Sequence, residues 1–259
     1  MLEPVWKATP ETATRLRGRI ESVLDWAKVR GYRDGENPAR WRGHLDHLLP
    51  ARSKVQKVEH FAAMPYAEID DFMLQLRKQP DTAARALEFL ILTAARSSEA
   101  AGARWDEIDL ATATWSVPGK RMKAGAAHRV PLSPHALAIL NNLPRLDEFV
   151  FSGRFPGCPV NISSLSNVLH RIRSDVTVHG FRSSFRDWAA EQTSFPNEVC
   201  EAALAHAIES KVEAAYRRSD LFEKRRRLME AWAVYCSKPR PKSGRQDLLG
   251  IVTPIRGAS

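Results

Sequence analysis

The chain has 259 residues, with 39 Lys and Arg against 30 Asp and Glu, a formal charge of +9, and 44% apolar and 27% charged side chains. This composition excludes a disordered chain, and the basic excess points to a polyanionic partner, either nucleic acid or an anionic membrane surface. No apolar run approaches the roughly 18 residues of a membrane span, the N-terminus lacks a signal-peptide layout, and three scattered cysteines (Cys158, Cys200, Cys236) make neither a disulfide framework nor a CxxC metal pair, so the expected location is the cytoplasm.

Residues 10–30 read as a helix, with Leu16, Ile20, Val23, Leu24 and Ala27 as an apolar stripe and Gly31 as its C-terminal cap. Glycines and prolines break residues 31–60, and the polar, basic stretch 51–57 reads as a linker. One helix and a short tail offer too little apolar surface for a core, so residues 1–50 read as a piece of a domain.

Beyond the linker, the spacing predicts a mainly helical domain over 58–236. Ile69, Phe72, Met73 and Leu76 share one helical face; Asp81 can cap a helix carrying Ala84, Leu87, Leu90, Ile91 and Ala94. The period then changes to alternation at 112–117, and 128–132 is a second strand candidate. A basic loop with two glycines, 118–127, joins them. Ser133-Pro134 opens a further helix, and helices are predicted at 162–173, 181–192, 196–205 and 220–236. Residues 237–259 carry five basic residues and one acid and read as a flexible basic tail. The fold class is mainly α with a small antiparallel β-sheet (α+β).

Four clusters carry chemistry. Arg96 and Glu99 lie three apart after a strongly apolar helix, so the guanidinium enters the interior and needs a partner or an anionic ligand; the plain alternative is a surface ion pair. His179-Gly180-Phe181-Arg182 opens a helix whose free N–H groups favour a phosphate; the alternative is a capping His and a solvated Arg. His206 and Tyr216 form the third cluster, each residue equally open to a structural role. Lys123 in the basic loop is the fourth, and a lone lysine there is usually solvated. Two Arg, two His, a Lys and a Tyr together form a kit for attacking a phosphodiester. In it Tyr is the nucleophile, the guanidiniums stabilise the non-bridging oxygens, and Lys and His move protons. Among the four tyrosines, Tyr235 falls on an apolar stripe with Leu221, Leu228 and Trp232 and reads as packed.

The order Arg, Lys, His-x-x-Arg, His, Tyr resembles the tyrosine recombinase (phage integrase) family, closest to the integrases of prophages and genomic islands. TAARSSEAAGARWDEID resembles the family's first-arginine box, with Arg96 as that arginine and Glu99 as its supporting acid. RMKAGAAHRVPLS resembles the β-hairpin that carries the catalytic lysine, Lys123; HGFRSSFRDWA resembles the box giving His179 and Arg182; LAHAIESKVEAAY resembles the last box, giving His206 and the nucleophile Tyr216. Three residues depart from the usual pattern: Ala94 and Ala205 stand where glycine is common, and Phe181 where leucine is usual. The resemblance implies the tyrosine recombinase catalytic-domain fold, with residues 1–50 as the C-terminal remnant of a helical core-binding domain and the N-terminus truncated.

The resemblance also implies site-specific DNA strand cleavage and rejoining through a 3′-phosphotyrosyl intermediate, with neither metal nor other cofactor. The implied partners are double-stranded DNA attachment sites, a homo-tetramer on DNA in the intact protein, and accessory DNA-bending or excision proteins, with no membrane. Two other readings of the same residues are a catalytically incompetent DNA-binding remnant and a type IB topoisomerase-like enzyme. A membrane-surface protein would also fit the charge, but no segment pairs a wide apolar face with a basic one.

Overall fold

The computed structural model describes residues 2–51, 55, 62–206 and 219–238. The nucleophile candidate Tyr216, most of the expected linker 51–57 and most of the expected tail 237–259 lie outside them. The chain divides into two compact units, Met1–His60 and Phe61–Ser259.

In the first unit, α1 (Leu2–Ala8) precedes α2 (Pro10–Val29). Trp6 is the anchor of a small cluster with Ala13 and Leu49. Its ring stacks on Trp41 at 5.2 Å and its indole N–H donates to the Pro50 carbonyl at 2.9 Å. The apolar stripe along α2 is half covered: Ile20, Leu24 and Ala27 are partly buried, while Leu16 is 40% exposed and Val23 63%. Of α2 only Pro10 and Ala13 are buried. The periodicity is real, and within this unit the 31–51 loop reaches along the helix through Asn37, which donates to the Glu21 carbonyl and the Asp25 carboxylate, but it leaves Ile20, Leu24 and Ala27 only partly buried.

The second unit has one core. Its centre is α4 (Thr82–Thr93), buried from Ala83 to Thr93 except at Arg85. Such a helix, apolar all round, is stable only when surrounded. Around it lie α3 (Ile69–Arg77), α5 (Ser97–Ala101), α6 (Pro134–Asn141), α7 (Ile162–Ile172) and α10 (Phe222–Tyr235). Phe89 of α4 packs on Trp115 and Phe151 at 5.3 and 5.4 Å, and Trp232 of α10 donates its N–H to the Ile91 carbonyl at 2.8 Å. The buried Glu88 carboxylate is neutralised by Arg77 and Arg85, both at 2.6 Å. A buried charge survives only when paired in this way.

Asp81 occupies the N-cap position of α4, but its side chain makes no capping bond and pairs with Arg171 of α7 instead. Ser133 does cap α6, accepting from the Ala136 N–H at 3.3 Å with Pro134 in the first turn. The sheet has three strands, β1 (Ile108–Asp109), β2 (Thr114–Val117) and β3 (His128–Pro131), all antiparallel in that order. β1 was not expected, because two residues carry no period. Trp115 pairs with Val130 and Val117 with His128, so the loop holding Lys123 closes a β2–β3 hairpin. The last two helices of the site, α8 (Gly180–Gln192) and α9 (Asn197–Ala203), complete a mainly α fold with a small antiparallel sheet. Among the described residues no helix is long and apolar enough to cross a membrane.

Candidate active site

α4 ends at Ala94, which takes the left-handed conformation (φ 50°) and turns the chain so that Arg96 becomes the first cap of α5. Glu99, three residues on, reaches back. One carboxylate oxygen accepts from the Arg96 backbone N–H at 3.0 Å and the other from its guanidinium at 2.8 Å. The pair is therefore an N-terminal capping arrangement in which Glu99 is 4% exposed; its side chain fixes the direction of the Arg96 guanidinium.

His179 sits at the N-cap of α8. Gly180 is required there, because a Cβ would stand 2.3 Å from the Ala62 carbonyl oxygen. Arg182, one turn in, is 5% exposed. Its guanidinium donates to the Ala94 carbonyl at 2.5 Å and the Leu204 carbonyl at 2.7 Å, and lies 3.2 Å from His206 Nε2. Arg96 donates to the Ala205 carbonyl at 3.3 Å. The two arginines thus bridge the first and last boxes across more than a hundred residues of chain. Burial, then the Arg96 charge, pushes the Arg182 pKa down to about 10, which leaves it cationic at neutral pH.

Burial lowers the His179 pKa, and the charges of Arg182, Arg96, His206 and Lys123 lower it further. Those groups therefore share one electrostatic neighbourhood, with Lys123 exposed on the hairpin side. The structure brings together Arg96, Glu99, His179, Arg182 and His206, and sets Lys123 within their field. Tyr216 falls outside the described residues.

Several residues of the site carry no sequence signal. Arg121 ties the hairpin loop to the first box, donating to the Glu99 carbonyl at 2.6 Å and to the Glu107 carboxylate, which also accepts from the Trp115 indole. Arg225 of α10, 1% exposed, donates to the Arg129 carbonyl at 2.5 Å and the Asp220 carbonyl at 2.7 Å. Asp220 also accepts from the Arg129 side chain at 2.8 Å. His128, at the start of β3, has its pKa lowered to about 4 by burial and by the Arg225 charge. Glu201 contacts His206 at 2.6 Å and Arg186 at 2.7 Å. Burial pushes its carboxyl up, but the bonds from His206 and Arg186 outweigh that and hold it below the usual range.

Two guanidiniums and two imidazoles lie together with an ammonium within their field, an arrangement that can hold an anion. The carboxylates of Glu99 and Glu201 contact the Arg96 guanidinium and the His206 ring.

The model of the phage integrase family matches residues 63–221, and that of the phage integrase central domain residues 1–44. The prophage integrase IntA of Escherichia coli (strain K12) is 36% identical over 231 residues, covering 86% of this chain and 54% of that protein. The chain spans about half the length of such relatives. Among solved structures, a lambda integrase dimer bound to a COC′ core site aligns with a TM-score of 0.57 at 16% identity, over 80% of this chain and 76% of that one. A lambda integrase tetramer bound to a Holliday junction aligns with a TM-score of 0.54 at 18% identity, over 80% and 59%. These likenesses show the fold.

Proposed function

Because the chain belongs to the phage integrase family, we propose that it cleaves and rejoins DNA strands at specific sites through a 3′-phosphotyrosyl intermediate. The observation that carries the reading is Arg182, which holds the carbonyls of Ala94 and Leu204 at once while lying 3.2 Å from His206. That arrangement supports the reading by joining three separate sequence boxes around one guanidinium.

In the proposed reaction the Tyr216 oxygen attacks the scissile phosphorus and the bond from phosphorus to the 5′-oxygen breaks. Arg96 and Arg182 hold the non-bridging oxygens, where charge must be stabilised in the transition state. Lys123 gives a proton to the leaving 5′-oxygen, and the imidazoles of His179 and His206 exchange protons with the phosphate and the tyrosine. Rejoining is the reverse, with a 5′-hydroxyl attacking the phosphotyrosine, so the phosphoester bond energy is kept and no nucleotide is consumed. The positive charge comes from side chains, so no metal or cofactor is part of the proposal.

Double-stranded attachment sites are the proposed substrate and the cytoplasm the proposed location. A homo-tetramer assembled on DNA is the proposed working form of the whole protein, with DNA-bending or excision proteins as accessories. The DNA-bound states of the similar lambda integrase structures support the substrate and the tetramer. The test is a nicked suicide duplex, in which the cleaved fragment diffuses away. The wild-type chain should give a covalent adduct on a denaturing gel and Tyr216→Phe none. An adduct that persists in Tyr216→Phe would remove the nucleophile, and with it the active site.

A further inference from the structure

We propose that Glu201 is a positioning residue that sets the tautomer of His206. The inference rests on the proposed strand-transfer reading for its purpose, but the geometry behind it stands alone. His206 Nδ1 lies 2.6 Å from a Glu201 oxygen and His206 Nε2 lies 3.2 Å from an Arg182 nitrogen. A guanidinium can only donate, and an ionised carboxylate can only accept. Between these two partners one neutral form satisfies both contacts: Nδ1 carries the proton and donates to Glu201, while Nε2 carries the lone pair and accepts from Arg182. The carboxylate thus keeps Nε2 as the proton-accepting nitrogen, beside the arginine that would hold the phosphate. When Nε2 takes a proton, the Glu201 charge stabilises the imidazolium across the ring, and His206 can then donate to a phosphate oxygen.

Glu201 is itself held. Its other oxygen accepts from Arg186 Nε at 2.7 Å, and Arg186 also donates to the Asn197 side chain. The contact is not a helical one. Glu201 precedes His206 by five residues; α9 stops at Ala203, and Ala205 takes φ 49°, which turns the chain until the His206 N–H meets the Glu201 carbonyl at 3.1 Å. A carboxylate behind a working histidine fixes its ring and tautomer, and its loss typically costs about 10–100-fold at metal-bound histidines.

Two measurements on the full chain test this. Long-range ¹H–¹⁵N spectra of free protein, with His206→Ala identifying the His206 signals among eight histidines, should show Nδ1 protonated in the wild type. In Glu201→Leu, which offers Nδ1 no acceptor, they should show the other tautomer or a mixture. Protonation at Nε2 in the wild type, or identical patterns in both proteins, overturns the proposal whether or not the chain cleaves DNA. In single-turnover cleavage, Glu201→Gln should slow adduct formation about 10–100-fold yet add less than about twofold in a His206→Ala background, as expected of residues acting as one unit. An equal loss in both backgrounds would place the effect in Arg186 or the fold instead. A wild type that makes no adduct would count against the strand-transfer reading while leaving the spectra to decide the role of Glu201.

Discussion

The guanidinium of Arg182 donates at 2.5 Å to the carbonyl of Ala94, the left-handed residue that ends α4 two places before Arg96. One candidate catalytic arginine is therefore part of the support that positions the other. Arg182 has the larger structural share, because both its carbonyl partners belong to buried residues, whereas Arg96 is held by its own neighbour Glu99 and by the carbonyl of the partly buried Ala205.

Lysine substitutions should separate the two shares. Arg96→Lys keeps a cation beside Glu99, and Arg182→Lys can satisfy only one of two buried carbonyls. Both variants should slow covalent adduct formation by about 10²–10³, the usual cost of one lost transition-state donor. Affinity for a plain duplex should hardly change, since binding is spread over many phosphates. In urea, Arg182→Lys should lose about 1–3 kcal/mol, the cost of an unpaired buried carbonyl, and Arg96→Lys less than about 1 kcal/mol. Equal destabilisation of the two would contradict the division of labour.

The two alanines that stand where the family commonly has glycine are both left-handed, Ala94 at φ 50° and Ala205 at φ 49°. A Cβ in that region costs roughly 1–2 kcal/mol, against about 0.5–1 kcal/mol of extra unfolded-chain entropy for glycine. Ala205 is only partly buried, so Ala205→Gly should stabilise the chain by up to about 1 kcal/mol. Ala94 is 2% exposed, and the buried methyl lost in Ala94→Gly, worth about 0.8 kcal/mol, should cancel the relief. Ala84→Gly, inside α4, should destabilise by about 1 kcal/mol or more. Denaturant midpoints of the three variants check the order.

These positions also show what a sequence can display and what it cannot. The Arg96, His179–Arg182 and His206 boxes were legible because their chemistry is written in neighbouring residues. The two alanines could be seen as departures but not as left-handed, since the conformation depends on where each helix stops, in turns closed by the Ala95 N–H on the Leu90 carbonyl and the His206 N–H on the Glu201 carbonyl. Glu201 was invisible for the same reason: its contact with His206 exists only because α9 ends and Ala205 reverses the chain. The α2 stripe misled in the opposite sense. Its period is helical, but periodicity says nothing about how fully a partner covers the face, and in its own unit Leu16 and Val23 stay exposed. β1 escaped because two residues have no alternation to read.

His128 gives the fold a pH dependence. Its pKa is about 4 in the folded chain and about 6.5 unfolded. The folded state therefore binds fewer protons between those values, and stability falls as pH drops. There is no penalty above pH 6.5, and the full one, about 3 kcal/mol, below pH 4. The Arg225 and Arg96 charges oppose protonation, and Glu99 and Asp220 favour it. His179, lowered in the same direction, is present in both proteins to be compared. Urea titrations at pH 7 and pH 4 should show wild type losing about 3 kcal/mol more than His128→Gln. Parallel losses would mean that His128 is protonated in the fold without cost.

The hairpin separates the proposed chemistry from support in residues only two apart. Lys123 is exposed on the loop, whereas Arg121 donates to the Glu107 carboxylate and the Glu99 carbonyl beneath it. The Glu107 side chain is 7% exposed, so Arg121→Ala would strand a buried charge. That loss is typically about 3–5 kcal/mol, and the Trp115 indole and the Arg104 backbone N–H, both bonded to Glu107, would be left beside it as neutral donors. Arg121→Ala should therefore lower the unfolding midpoint sharply. Arg121→Met with Glu107→Leu, which removes both charges, should recover part of that stability, less the cost of the Trp115 N–H and the Glu99 carbonyl left unpaired. Lys123→Ala leaves no buried group unpaired and should keep the wild-type midpoint. It should nevertheless slow cleavage of an ordinary 5′-oxygen substrate by about 10²–10⁴, the range for a lost general acid. A substrate whose leaving group is a 5′-thiol needs no proton to depart and should restore most of that rate. If the thiol substrate gives no recovery in Lys123→Ala, the lysine is not the acid, and the loop contributes only its charge.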